Sequence, residues 1–396
     1  MSTPSGRIRV LIADDSPVVR RLVERVLGRD ERIEVVGTVA NGALVLQGAV
    51  ARDYDVLVLD LEMPDFDGLA TLRALKELNS ELPVLVFTGA DPEGVRRGLA
   101  AYRRGAVEVL AKPDDISRGI DSLREALPAL VKELADRRAA RRAASPPGGA
   151  APGASAPAHP LSTTALTARS QVWPAPAGEP ARGAVASIAS ALRHTELLVI
   201  GSSTGGPNAL AQVLAALPGD LRVPVLIVQH MPEGFTAQLA ARLDRDCALH
   251  VAEAKGGEVL TAGHVLIAPG GRHMEVVAKG PTLMTHLTDG PLENSCRPAV
   301  DPMFRTAVRA VGGNLLAVVL TGMGQDGMEG ARAVRAAGGR VLAQDQATSV
   351  VWGMPGAVVK ADLADEVLPL SQIPIAILAD VDRGRRPRTA PGKGAA

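Results

Sequence analysis

Aromatic side chains make up only 2% of the 396 residues, and cysteine occurs twice, at Cys247 and Cys296. Two cysteines supply no disulfide framework and suit a reducing compartment. So few aromatics leave the cores to be built from Val, Leu, Ile, Ala and Met. An excess of one charge is also lacking: Lys plus Arg and Asp plus Glu each total 43. No overall field therefore favours nucleic acid or an anionic membrane, and any partner must be recognised locally. No stretch reaches the roughly 18 apolar residues of a membrane span, and MSTPSGRIRV has no apolar centre of a signal peptide. These absences predict a soluble, cytoplasmic, monomeric protein without nucleic-acid binding or membrane insertion.

What is present divides the chain. Its length allows two or three domains. In residues 1–135, apolar runs at Ile8 to Ala13, Glu34 to Thr38, Val56 to Leu59, Val84 to Phe87 and Val107 to Leu110 alternate with helical patterns. Five βα repeats predict a doubly wound parallel sheet. Asp14, Asp15 and Asp60 then converge at one sheet edge, an oxygen-only set that suits Mg²⁺. Packed together without a cation, three carboxylates would repel. The Lys112 ammonium completes the neutralisation and could stabilise a phosphoryl group in transfer to Asp60, with Thr88 placed to hydrogen-bond it. A cis peptide before Pro113 would fix the direction of Lys112.

Residues 136–190 are rich in Pro, Gly, Ala and Ser and read as a disordered linker, as does a tail over 386–396. Trp173 is the large apolar residue within that linker.

Residues 191–385 carry three short stretches, each after an apolar run: GSSTGGP from Gly201, QHMP from Gln229 and LTGMGQDG from Leu320. A parallel sheet brings the carboxyl ends of its strands to one edge, so Ser203, His230 and Asp326 can meet as a hydrolytic triad. Ser203 falls in a strand-to-helix connection, where unpaired N–H groups favour anions. A dinucleotide site is the rival, but the spacing is not GxGxxG, and the next strand ends in Gln229 and His230 without the acidic residue a ribose needs. His250, His264, His273 and His286 show no tight ligand spacing for zinc, and Cys296 reads as a small packing residue.

Asp-Asp-Ser after the first strand, LDLEMPDFDG after the third, Thr88 after the fourth and Lys112-Pro113 after the fifth resemble the receiver domain of bacterial response regulators. The resemblance implies that Asp60 accepts a phosphoryl group from a histidine kinase, with Asp14 and Asp15 at the metal, Lys112 on the phosphate and Thr88 as switch hydroxyl. Val109 stands where receivers commonly carry an aromatic residue. GSSTGGP, QHMPEGFT, RPAVDPMF, LTGMGQDGMEG and AQDQATSVVWGMP resemble the chemotaxis protein-glutamate methylesterase family, CheB, with Trp352 where phenylalanine is more usual. That likeness implies Ser203 as nucleophile, His230 as general base, Asp326 as its orienting partner, and the Met323 amide with Thr204 as oxyanion site. It also implies chemoreceptor methyl esters as substrates, deamidation as a secondary activity, and no cofactor in the catalytic domain. The alternative is a phosphorylation-controlled receptor-docking protein without catalysis.

Overall fold

Aliphatic runs buried on both faces organise two separate parallel sheets. The computed structural model describes residues 6–51, 54–78, 81–112, 116–144 and 194–383. Of the linker expected over 136–190, the part from 145 on, with Trp173, lies outside these residues, as do the tail over 386–396 and the cis peptide before Pro113.

The first sheet comprises β1 (Ile8–Ala13), β2 (Ile33–Val39), β3 (Val56–Asp60), β4 (Val84–Thr88) and β5 (Glu108–Ala111), in the order β2-β1-β3-β4-β5. β3 and β4 are buried at every position, as strands covered by helices on both faces must be. The connecting helices are α1 (Pro17–Leu27), α2 (Gly42–Ala51), α3 (Gly68–Glu77), α4 (Pro92–Arg103) and α5 (Ile116–Ala144). Local chemistry starts three of them: the Ser16 hydroxyl, Asp67 and Asp91 accept from backbone N–H groups in the first turns of α1, α3 and α4.

One boundary differs from the sequence expectation. Helix α5 runs on to Ala144, through residues assigned to the linker. Ala and Arg are good helix formers, and Arg138 anchors the extension by donating to the backbone oxygens of Tyr54 (2.9 Å) and Asp55 (2.8 Å).

The second sheet is built from β6 (Leu197–Ser202), β7 (Val225–Gln229), β8 (His250–Glu253), β9 (His264–Ile267), β12 (Leu315–Val319), β13 (Arg340–Gln344) and β14 (Glu366–Leu368). Its order is β14-β13-β12-β6-β7-β9-β8, and each neighbouring pair is parallel. An antiparallel ribbon of β10 (His273–Lys279) and β11 (Thr282–Thr288) is inserted after β9. Helices α6 (Gly206–Ala215), α7 (Phe235–Asp246), α8 (Val300–Val311), α9 (Met328–Ala336), α10 (Met354–Lys360) and α11 (Ile373–Val381) complete the unit.

The two units share an apolar core. Val95, Leu99 and Val109 of the first belong to the same buried cluster as Leu210 and Phe235 of the second. A methyl group placed on Gly98 would meet Val109 at 2.8 Å, the Thr88 methyl at 3.3 Å and the Phe235 ring at 3.4 Å. At the rim, Arg103 forms a bidentate pair with Asp246 (2.8 and 2.7 Å), and Arg137 donates to the Ala347 backbone oxygen at 3.1 Å.

Candidate active site

Strands β12, β6 and β7 lie side by side, and the three glycine-rich stretches leave from their carboxyl ends. Ser202 pairs with Gln229 in register and Gly201 with Val319. The ladder continues beyond the strands: the Ser203 amide donates to the Thr321 oxygen (3.0 Å), and the His230 amide donates to the Ser202 oxygen (3.1 Å). The buried Gln229 side chain locks this edge. It accepts from the Ser202 hydroxyl at 2.7 Å and donates to the backbone oxygens of Ser203 (2.9 Å) and His230 (3.2 Å). Its approach explains Gly206, where a Cβ would lie 1.9 Å from Gln229 Oε1.

His230 Nε2 and Asp326 Oδ2 are 2.7 Å apart. Asp326 is 1% exposed and its carboxylate is surrounded by donors. Oδ2 also accepts from the Val300 amide (2.6 Å), while Oδ1 accepts from Asn294 Nδ2 (3.0 Å) and the amides of Asp301 (3.1 Å) and Gly327 (2.9 Å). Burial alone would push this carboxyl up. The hydrogen bond and charge of His230, with the amides of Val300 and Asp301, hold it below its ordinary value. Burial pulls the other way on His230, yet its contacts with Asp326 and Cys296 raise it from 6.5 to about 9. Behind Asp326, burial raises Asp301 to about 6 despite the Gly330 amide on its carboxylate.

Ser203 is half-buried and its Cβ lies beside Gly322, where an added methyl would meet it at 2.8 Å. The structure thus sets Ser203 next to the turn that carries Met323, whose amide donates no hydrogen bond among the described residues. No hydrogen bond joins the Ser203 hydroxyl to His230. The imidazole Nδ1 instead lies 3.6 Å from Cys296 Sγ. Cys296, read as a packing residue from sequence, therefore touches the candidate base. Thr204 is buried, and with the Gly205 amide it is among the polar groups that act to lower the Glu108 carboxyl of the first unit. Burial raises the Glu108 carboxyl, and Tyr102 donates its hydroxyl to it.

The acidic pocket forms at the ends of β1 and β3. Oxygens of Asp14, Asp15 and Asp60 lie within 4.8 Å of one another. Lys112 Nζ is 2.9 Å from Asp14 and 2.8 Å from Asp60. Burial and the charge of Asp60 raise Asp14, outweighing Lys112. Three convergent carboxylates without nitrogen or sulfur ligands fit a hard divalent cation. Thr88 is fully buried, and its backbone oxygen accepts from the Lys112 amide at 2.7 Å.

Sequence reasoning missed Gln229, Asn294 and Glu108. Gln229 had a signal, its place at the strand end before His230. Asn294 and Glu108 act through contacts that no local pattern displays. No helix among the described residues is long and apolar enough to cross a membrane.

Comparison with known proteins is consistent with both units. Residues 10–124 match the response regulator receiver domain, and residues 198–377 match the CheB methylesterase model. A protein-glutamate methylesterase/protein-glutamine glutaminase of a Nocardioides species is 45% identical over 97% of this chain and 98% of its own. The protein of that name from Trichodesmium erythraeum is 38% identical over 93% of this chain and 97% of its own. One from Paramagnetospirillum magneticum is 41% identical over 94% and 96%. With full-length similarity at this level and a receiver joined to a sheet whose strand ends assemble Ser203, His230 and Asp326 at one edge, the chain belongs to the CheB methylesterase family.

Proposed function

We propose that this chain hydrolyses γ-glutamyl methyl esters on the cytoplasmic helices of methyl-accepting chemoreceptors, releasing methanol, and deamidates receptor glutamines through the same acyl-enzyme. The observation that carries the reading is the 2.7 Å His230–Asp326 contact one strand away from Ser203. Ser203 Oγ attacks the ester carbonyl as His230 takes its proton. The Met323 amide stabilises the oxyanion, the alkoxide leaves with the proton returned by His230, and water releases the glutamate. Asp326 holds the ring and balances the imidazolium charge.

Asn208, on α6 just after the Ser203 loop, donates to the Tyr102 backbone oxygen of the receiver at 3.4 Å. That contact supports regulation by the receiver. With Arg103 on Asp246 and Phe235 buried against Gly98, the receiver holds the Ser203 loop and the start of α7 in one closed arrangement. A histidine kinase would phosphorylate Asp60, with Asp14, Asp15 and Asp60 holding Mg²⁺, Lys112 on the phosphoryl oxygens and Thr88 as the responding hydroxyl. Bound Mg²⁺ supplies charge neutralisation for the phosphoryl group. The phosphorylated state needs a preference of a few kcal/mol to open the interface.

Methanol release from methylated receptor membranes tests the reading. Ser203→Ala abolishes it, and parental release by that variant would remove Ser203 as nucleophile. A small phosphodonor with Mg²⁺ stimulates the parent but not Asp60→Asn. Equal stimulation would remove Asp60 from the switch.

A further inference from the structure

The histidine–aspartate pair is gripped by a turn that the mechanism above does not use. Residues Glu293 to Arg297 double back tightly: the Glu293 amide donates to the Cys296 oxygen at 3.1 Å and the Cys296 amide returns to the Glu293 oxygen at 2.9 Å. Two consecutive non-glycine residues, Asn294 (φ 50°) and Ser295 (φ 61°), take left-handed backbone there. That conformation is uncommon for serine and must be sustained by surrounding contacts. Arg305, on α8, supplies one by clasping the Glu293 carboxylate with bonds of 2.7 and 2.8 Å. The same helix begins with the Val300 and Asp301 amides that bind Asp326.

The turn points two side chains at opposite ends of the pair. Asn294 Nδ2 donates to Asp326 Oδ1 (3.0 Å) and to Asp301 Oδ2 (3.1 Å), bridging two buried carboxylates that would otherwise face each other unscreened. Cys296 Sγ lies 3.6 Å from His230 Nδ1, while Nε2 is committed to Asp326. One hydrogen bond leaves an imidazole free to tilt about it, and a second contact at the far nitrogen fixes its plane. Sulfur suits that place: a thiol donates weakly to neutral Nδ1, and sulfur accepts weakly from the N–H of imidazolium. The contact therefore persists in both protonation states and is weak enough to yield Nδ1 to the serine hydroxyl.

We infer that the Glu293–Arg297 turn is a two-point clamp on the catalytic pair, with Asn294 and Cys296 as positioning residues for proton transfer, Asn294 acting through Asp326 and Cys296 through Nδ1 of His230. The inference rests on the assignment of His230 as the base that serves Ser203. The ionisable groups facing His230 are Asp326 and Cys296, with Asp301 behind Asp326.

Full-length Cys296→Ala, Cys296→Ser, Asn294→Ala and Asn294→Asp test it, by methanol release across pH and by NMR titration of the His230 imidazole. Cys296→Ala lowers kcat about tenfold, the scale of one lost hydrogen bond, leaves KM within about twofold because a positioning role acts on proton transfer and not on substrate binding, and moves the His230 midpoint to lower pH. Serine at 296 recovers part of both effects. Asn294→Asp discriminates further. Aspartate accepts left-handed backbone nearly as well as asparagine, so a role in the turn alone makes it milder than alanine. The clamp makes it more damaging, because it cannot donate and adds a third carboxylate beside Asp301 and Asp326. Parental kcat and an unmoved His230 midpoint in Cys296→Ala would overturn the inference, as would an Asn294→Asp variant more active than Asn294→Ala. Ser203→Ala runs in parallel. Undiminished methanol release by that variant sinks the assignment of the serine, and the imidazole titration then decides the clamp by itself.

Discussion

Replacing Asp326 by asparagine changes one atom and disturbs five hydrogen bonds. Oδ2 accepts from His230 and Val300, and Oδ1 from Asn294, Asp301 and Gly327. Whichever way the new amide turns, its NH₂ group faces two or three donors and can accept from none of them. Breaking a buried charged pair by altering one partner costs about 3–5 kcal/mol, and urea unfolding reads that loss. The same substitution removes the main support for protonation of His230. With Asp326 present the imidazole titrates at about 9. Its value is raised above 6.5, so the pair's stabilisation is complete below about 6.5 and is lost as pH rises through about 9. A shift of this size corresponds to roughly 3 kcal/mol. In Asp326→Asn, burial dominates and the His230 midpoint moves below its parental value. Activity of the parent rises with pH as His230 becomes free base, so the acid limb of the profile moves down in the variant, while the plateau falls by about 10³–10⁴-fold for want of an oriented base. Imidazole NMR and methanol release across pH measure both. A variant that still titrates near 9, or keeps activity within tenfold of the parent, would refute the role given to Asp326.

Other substitutions probe the support around the proposed triad. Gly206→Ala pushes a methyl into Gln229 Oε1, an overpacking worth about 1–3 kcal/mol, and reduces methanol release while α6 persists by circular dichroism. Arg103→Glu replaces a partly exposed pair with Asp246 by repulsion. At about 1 kcal/mol it raises unphosphorylated activity several-fold and brings it closer to the phosphodonor-stimulated level. Lys112→Met strips the ammonium that lies against Asp14 and Asp60, leaving two buried carboxylates to repel, so Asp14 titrates higher still and phosphodonor stimulation is lost.

Much of this architecture was legible because buried parallel strands announce themselves. IRVLIA, VLVLD and VLVFT are largely aliphatic runs that lead to Asp14, Asp60 and Thr88, and LLVIGS and VLIVQ lead to Ser203 and His230. Chemistry concentrated at strand ends could be read in chain order. What escaped is non-local. Asn294 reaches Asp326 only through a left-handed turn in a stretch with no periodicity, and Glu108 looked like an ordinary strand residue until the fold set Thr204 and Gly205 of the other domain among the groups that lower its carboxyl. The end of α5 was missed for a different reason. The Ala- and Arg-rich segment up to Ala144 abuts a Pro- and Gly-rich one, and composition averaged over both hid a helix that its own residues favour.

The packing around Gly98 limits how freely these halves can be exchanged. Val109 and the Phe235 ring converge on one small volume beside Thr88, one from each domain. A receiver with an aromatic residue at 109, spliced onto this catalytic domain, would bring two rings to a slot shaped for one. The chimera would have to part the domains or distort Thr88. Residues 109 and 235 are therefore a single choice made twice along the chain, and a graft that changes one must redesign the other.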